Sequence, residues 1–317
     1  MTKKPIAIVT GGAGFIGGHI TEQLVAKGYK VRIFDNLYRG DISKFENHIN
    51  NGDVEFIEGD IRYLSRLLEA MEGIEYVYHE AADCINKSLQ NPVESLNINV
   101  IGTTNVFEAA RMHKVKKVIF ASSASVYGDP EELPMTEESP LLPITPYCIG
   151  KHSTESIAKF YSRFNDLNYI GFRYFNVYGS RQNVDAYYTN VVILFIKRIM
   201  SGQAPVINGD GKQSMDFIHV SDIANANILA LEMDVNNQIF NIGTNKSTTV
   251  KQLAEILISA TGKENIIPQF TGEASLVRER RADYSKAKQL LSWEPTIDVE
   301  RGLMELAKDI IENPHLY

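Results

Sequence analysis

The sequence predicts an α/β fold built on a doubly wound parallel sheet, followed by a smaller C-terminal α/β lobe. Three observations carry that expectation. Short β-branched runs alternate with amphipathic segments from residue 5 to about 175, a glycine-spaced turn joins the first run to the first amphipathic segment, and the alternation breaks after Asn176. A chain of 317 residues with 44% hydrophobic content can bury one large core and a smaller one beside it.

Strands are predicted at 6–10, 30–34, 54–57, 76–78, 117–121 and 169–173, with helices at 15–27, 63–71, 93–113 and 147–164 between them. Strand, helix, strand in this order implies right-handed crossovers, parallel pairing and helices on both faces of the sheet. Beyond Asn176, Gly- and Pro-containing stretches separate helices expected at 190–200, 222–232, 250–260, 286–291 and 300–312. Residues 1–175, rejoined by about 217–243, therefore read as a Rossmann-like domain, and 176–317 as a lobe that closes over a ligand cleft. The turn-rich loop at 128–146 precedes the helix carrying Tyr147 and is expected to border the site.

A formal net charge of −7 argues against a nucleic-acid footprint. An anionic ligand must be held by a few local cations and backbone N–H groups. Cys84 and Cys148, without a CxxC pair or histidines at ligand spacing, read as free thiols, and no metal site is expected. The apolar run at 6–11 is too short for a secretion signal, and no apolar stretch approaches the ~20 residues of a membrane helix. A cytoplasmic protein with no membrane partner is expected. The Asn-x-Ser triplets at Asn86 and Asn245 are then chance matches.

Thr10-Gly-Gly-Ala-Gly-Phe-Ile-Gly17 places Gly11, Gly14 and Gly17 between the first strand and the first helix. Such a turn lets a backbone approach a pyrophosphate, with the helix N-terminus stabilising its negative charge. Glycine turns also serve geometry alone, so context decides. Asp35 ends the second strand about 20 residues on, where a carboxylate accepts from adenine-ribose hydroxyls and repels a 2′-phosphate, so NAD is expected rather than NADP. Phe15 and Ile16 open the helix, Asn36 follows Asp35, and Asp60-Ile61 lies past the third strand, within reach of the adenine. The other reading of Asp60 is a helix N-cap.

Tyr147 and Lys151 are four apart on one helix, which brings their Cβ atoms to roughly 5–6 Å. A neighbouring ammonium stabilises phenolate, so Tyr147 is expected to have a lowered pKa and to serve as a general base. The spacing alone is weak, since among 15 tyrosines Tyr284 has Lys288 at the same offset. Position separates the two: Tyr147 follows the fifth strand and its Ser-Ser-Ala-Ser-Val-Tyr-Gly loop, whereas Tyr284 lies beyond the parallel-sheet region. Ser123 ends the fifth strand at the edge where doubly wound sheets bind ligands and can donate to a substrate oxygen. Ser122 competes for that role, and turn-capping is the alternative for both.

These residues, with His79-Glu-Ala-Ala82, Asn99-Val-Ile-Gly-Thr103, Arg173-Tyr-Phe-Asn-Val-Tyr-Gly179 and Gly209-Asp-Gly-Lys-Gln-Ser-Met-Asp-Phe217, resemble the extended short-chain dehydrogenases/reductases, in particular the NAD-dependent epimerase/dehydratase group. The resemblance spans nearly the whole chain. It implies that Tyr147 is the base, that Lys151 is its partner and a ligand of the nicotinamide ribose, and that Ser123 shares the sugar's hydrogen bond. It places Ala81, Ala82, Asn99 and Ser122 along the cofactor, Asn176 and Arg278 at the diphosphate of a UDP-type nucleotide sugar, and Asn190 and Val192 beside the nucleobase. It also implies a homodimer formed through the helices at 93–113 and 147–164.

Dehydratases of the group resemble Thr-Asp-Glu where this chain has Ser123-Ala124-Ser125, which lacks an acid to drive elimination. The resemblance therefore implies C4 epimerisation of a nucleotide sugar, with a dehydratase, decarboxylase or reductase as the alternatives and a non-catalytic NAD sensor as a further one. Three departures bear on the sugar. Met215 stands where many relatives have a phosphate-binding arginine, Arg280 falls at the position that limits the sugar, and the 83–88 segment with Lys87 is one residue short. Arg280 can replace the missing phosphate cation, Arg280 or Lys87 can meet an acidic sugar such as a uronate, or Arg278 alone contacts ligand while Arg280 and Arg281 form a solvated charge cluster.

Overall fold

The computed structural model describes residues 5–130, 132–182, 190–272 and 279–314. Seven strands form one parallel sheet: β1 (Ile6–Thr10), β2 (Lys30–Asp35), β3 (Val54–Glu58), β4 (Tyr76–His79), β5 (Lys117–Ser123), β6 (Asn168–Tyr174) and, later in the chain, Gln238–Ile242. Their order is Gln238–Ile242, β6, β5, β4, β1, β2, β3, so the order reverses on either side of β1 and β4. The two-residue period sends successive side chains to opposite faces. Val9 and Ile119 join a core with the Phe15–Ala26 and Val220–Glu232 helices, whereas Ile8 and Val118 join one with the Leu64–Ala70, Thr103–Met112 and Pro146–Asn165 helices. Apolar layers on both faces are the physical content of the predicted doubly wound fold.

The expected helix at 93–113 is interrupted. Pro92–Leu96 is α-helical, Asn97–Gly102 is a π-turn and Thr103–Met112 is α-helical again. Contacts on both sides accompany the wider turn: a Cβ at Gly102 would lie 2.6 Å from Ile61, and one at Gly150 would lie 2.6 Å from Asn99. Apolar periodicity could not show this, because a π-turn shifts the helical face without ending the run.

After Tyr174 the chain leaves the sheet in short strands: β7 (Asn176–Tyr178), β8 (Val206–Asn208), β9 (Ser214–Met215), β10 (Phe217–His219), β11 (the Gln238–Ile242 strand above), β12 (Thr248–Thr249), β13 (Gln269–Thr271) and β14 (Glu279–Arg280). Parallel pairs join β7 to β10 and β8 to β13, and β9 lies between antiparallel β12 and parallel β14. A third core gathers around the Asn190–Met200, Val250–Ala260 and Val299–Glu312 helices. Asp216 ties these pieces together: its buried carboxylate accepts from Thr244 N (2.7 Å), Thr244 Oγ1 (2.6 Å), Asn245 N (3.0 Å) and Ala282 N (3.0 Å).

None of the described helices is long and apolar enough to cross a membrane. Val93, Ile101, Met112, Ile149, Phe160 and Phe164 stand exposed on the segments 92–112 and 146–165.

Candidate active site

A cleft of about 500 Å³ opens at the carboxyl edge of the sheet. The glycine turn, Asp35, Asn36, Asp60 and Ile61 line one end, and Ser122 to Ser125, Tyr147, Lys151, residues 174–177 and Arg280 line the other. This is the rim on which such sheets bind ligands, because loops diverge there on either side of the order reversal.

The turn is built from the end of β1. Gly11 takes φ +73° and donates its N–H to Phe34 O (2.9 Å), and Gly14 N donates to Gly11 O (3.0 Å). A Cβ on Gly17 would lie 2.3 Å from Gly11 O, and one on Gly11 would lie 2.7 Å from Ala81 N. The glycines are thus required by backbone contact. They also leave room for a ligand: Phe15 and Ile16 open the helix against the cleft, and no side chain caps its N-terminal N–H groups. Asp35 accepts from Ala13 N (3.1 Å) and Leu37 N (2.9 Å), and its burial pushes its pKa up. A diphosphate at the helix end and a ribose at Asp35 fit this end of the cleft.

Asp60 is not an N-cap. The cap position of the Leu64–Ala70 helix is Tyr63, and Asp60 instead accepts from the backbone and guanidinium of Arg62 and from Asn36 Nδ2 (3.0 Å). Hydrogen bonds from Arg62 chiefly hold it down to about 2. Ala81 and Ala82 line the cleft, but Asn99 does not. Its buried amide oxygen accepts from Asp83 N (2.8 Å), so it shapes from behind the loop that borders the cleft. Lys44, unnoticed in the sequence, donates to Ala13 O (2.9 Å) and Gly14 O (3.0 Å) and braces the turn. No spacing rule would have found it.

Tyr147 sits in the first turn of the Pro146–Asn165 helix, started by Pro146 and by the Thr145 hydroxyl accepting from Cys148 N (3.2 Å). Tyr147, Lys151 and Ser123 meet in the cleft. The expected lowering of the tyrosine pKa is corrected: burial pushes the Tyr147 hydroxyl up to about 12, with the Ser123 hydroxyl the main opposing influence. Lys151 does not relieve it, because its ammonium donates to Ala121 O (2.8 Å), lies 5.9 Å from the Tyr147 ring centre and is itself pulled down to about 8 by burial. Ser123 Oγ accepts from Ser125 N (3.2 Å) and Ser125 Oγ (2.9 Å), which leaves its own proton to donate. Ser122 is directed elsewhere: its hydroxyl donates to Glu155 (2.6 Å) beneath the cleft. Tyr284 packs edge-on against Trp293 (5.8 Å), away from the cleft.

Toward the second lobe, Asn176 lines the cleft and donates to Asp216 O (3.0 Å). Arg280 pairs in register with Met215, lines the cleft and donates to Gly128 O (3.2 Å), so a cation stands next to the methionine. Lys87 holds its ammonium 3.8 Å over the Tyr38 ring at the cleft wall. The Val192 side chain is fully buried in the core of the second lobe. Asn190 begins a helix, but its side chain lies outside the described residues, as does Arg278. Glu80, Tyr174 and Gln182 also line the cleft and received no role from the sequence. Only the unusual acid inside an apolar strand end could have marked Glu80.

With this site in view, the comparisons fix the class. Residues 7–243 match the NAD dependent epimerase/dehydratase family, and the chain belongs to it. Its cofactor is accordingly NAD. A Methanocaldococcus jannaschii protein provisionally named a UDP-glucose 4-epimerase is 39% identical over 307 residues, 93% of this chain and 95% of that one. Among solved structures, the UDP-glucose 4-epimerase of Thermotoga maritima with UDP-glucose is similar at TM-score 0.91 and 35% identity, covering 98% of this chain and 99% of that one. The UDP-N-acetylglucosamine 4-epimerase of Methanobrevibacter ruminantium, in complex with UDP-N-acetylmuramic acid, is similar at TM-score 0.91 and 36% identity, covering 98% and 100%.

Proposed function

We propose that this protein is an NAD-dependent nucleotide-sugar epimerase that inverts C4 of a UDP-sugar through a transient 4-keto sugar. The observation that carries the reading is the meeting of Ser123, Tyr147 and Lys151 beside the glycine turn, with Ala124 and Ser125 where elimination would need an acid. The similarity to two UDP-sugar 4-epimerases supports it.

Bound NAD supplies a hydride acceptor that later returns the hydride. Tyr147, once ionised, takes the proton of the C4 hydroxyl and returns it to the same oxygen when the 4-keto sugar, turned over in the cleft, receives the hydride at C4 on its opposite face. Ser123 donates to the same oxygen and Lys151 fixes the cofactor ribose. Gly11, Gly14, Phe15, Ile16 and Gly17 cradle the diphosphate of the cofactor, Asp35 and Asn36 hold its adenosine, and residues 1–175 with 217–243 form its domain. Asn176 and Arg280 face the sugar nucleotide. Burial holds the Tyr147 hydroxyl at about 12, and a positive charge on a bound oxidised cofactor would lower it toward the working range. The helices bearing Val93, Ile101, Phe160 and Phe164 pair with a second copy, their apolar exposure being the support. Two free thiols suit the cytoplasm.

The decisive experiment incubates the protein with neutral and acidic UDP-, GDP-, CDP- and TDP-sugars and follows C4 inversion by proton NMR. Inversion of a UDP-sugar is expected. Loss of water or CO2 in place of inversion would replace this reading with a dehydratase or a decarboxylase. A second expectation concerns the turn. Gly17→Ala puts a methyl group 2.3 Å from Gly11 O, so NAD affinity should fall by on the order of a hundredfold in a calorimetric titration. Unchanged affinity would show that the turn does not hold the diphosphate.

A further inference from the structure

Glu80 is a carboxyl group in the cleft that the mechanism above does not use. It follows the last residue of β4, and the pairings His79 with Phe120 and Ser123 with Tyr174 bring Glu80, Ala121 and Tyr174 to the same edge of three adjacent strands. Tyr174 donates its hydroxyl to Glu80 Oε1 (3.1 Å) and accepts from Asn227 Nδ2 (2.8 Å), so the carboxyl is held from behind. Lys151 reaches the same edge through Ala121 O (2.8 Å). On its other side Glu80 abuts the cofactor turn, since a Cβ on Gly11 would lie 3.0 Å from the Glu80 carbonyl carbon.

A glutamine would accept the Tyr174 hydroxyl equally well without the penalty of an acid in a desolvated place. What the acid adds is the capacity for negative charge between the turn that holds the cofactor and the Tyr147 and Lys151 side chains that must flank its reacting ring. That ring is cationic when oxidised and neutral when reduced. An anion nearby favours the oxidised form, and at an effective dielectric near ~20 one charge several ångströms away changes affinity on the order of tenfold.

We propose that Glu80 biases the bound cofactor toward its oxidised form, so that the resting protein holds NAD⁺ and a 4-keto sugar is re-reduced before it escapes. The inference rests on NAD as cofactor and on the epimerase reading, which needs the cofactor oxidised at the start of every cycle. Lys151 from its helix, Tyr174 from β6, and His79, Asp83 and Cys84 along its own segment are the titratable groups around Glu80. Burial pushes Glu80 up to about 8, with Lys151 and then the Tyr174 hydroxyl pulling down, while burial lowers Lys151 to about 8. The sign follows: a rise in pH ionises Glu80 and removes the Lys151 proton, and both changes favour the cationic ring. Preference for NAD⁺ over NADH should therefore grow with pH.

The test is calorimetric titration of the full chain, freed of cofactor, with NAD⁺ and with NADH, for wild type, Glu80→Gln and Glu80→Asp. Glu80→Gln should lower the ratio of NAD⁺ to NADH affinity about tenfold or more and flatten its pH dependence, whereas Glu80→Asp, which keeps the charge, should stay near wild type. An unchanged ratio in folded Glu80→Gln overturns the proposal. Should that variant not fold, Glu80→Ala, which also removes the charge, is titrated in its place, and an unchanged ratio there overturns the proposal equally. Binding of neither form would instead remove the cofactor assignment, and normal cofactor binding without C4 inversion would remove the epimerase reading alone.

Discussion

Tyr147→Phe is expected to lower turnover by at least about a hundredfold while NAD stays bound. The variant removes one oxygen from a buried ring, so packing in the first turn of the Pro146–Asn165 helix is retained. What is lost is the group that carries the substrate proton, and general acid–base catalysis is worth about 10²–10⁴. No other described side chain takes over easily: Ser123 can donate but is a poor base, and Lys151 is turned onto Ala121 O. Turnover is read by proton NMR and cofactor occupancy by calorimetry. Full activity in this variant would remove Tyr147 from the mechanism, and loss of NAD with loss of activity would make its role structural.

Arg173→Met should destabilise the fold by about 3–5 kcal/mol, the usual consequence of leaving one member of a buried ion pair without the other. Arg173 and Glu155 are almost fully buried beneath the catalytic strand, with Nε to Oε1 at 2.8 Å and Nη2 to Oε2 at 2.7 Å. The pair sits within a larger network. Ser122 donates to Glu155, Arg173 Nη1 donates to Tyr127 Oη (2.7 Å), and Tyr127 donates to Asn241 Oδ1 (2.7 Å) on the edge strand. Removing the guanidinium strands a carboxylate and leaves Tyr127 Oη without its donor. For a chain of this size the melting temperature should fall on the order of 2 °C per kcal/mol. The double variant Arg173→Met/Glu155→Leu should recover much of the loss, because no isolated charge remains. A single variant that melts with the wild type would show that water reaches the pair.

How much of this was legible beforehand depends on the range of the interaction concerned. The glycine turn, Asp35 and the Tyr147 and Lys151 pair were legible because each is written in a local period or in a fixed distance from a strand end. Ser123 was legible over Ser122 only weakly, and the choice is made by Glu155, which lies 33 residues away and takes the Ser122 hydroxyl. Asn99 and Val192 were expected from a family pattern, which records neither the Asn99 bond to Asp83 N nor the packing of the Val192 side chain in the second core. Lys44 and Gln182 had no sequence signal, and Glu80 only that of an acid at an apolar strand end, since each acquires its place from segments that meet only when the sheet closes.

The sequence by itself determined the parallel sheet, the edge at which a dinucleotide binds and the residue types for redox chemistry, because strand alternation, helical spacing and glycine geometry are local. The tertiary structure alone decided the electrostatics. Tyr147 does not gain a lowered pKa from being four residues from Lys151: burial of the phenol dominates, the Ser123 hydroxyl is the main influence against it, and the Lys151 ammonium is bound to Ala121 O. The same burial brings Glu80 to the cleft with Lys151 and Tyr174, a charge balance that no spacing along the chain records.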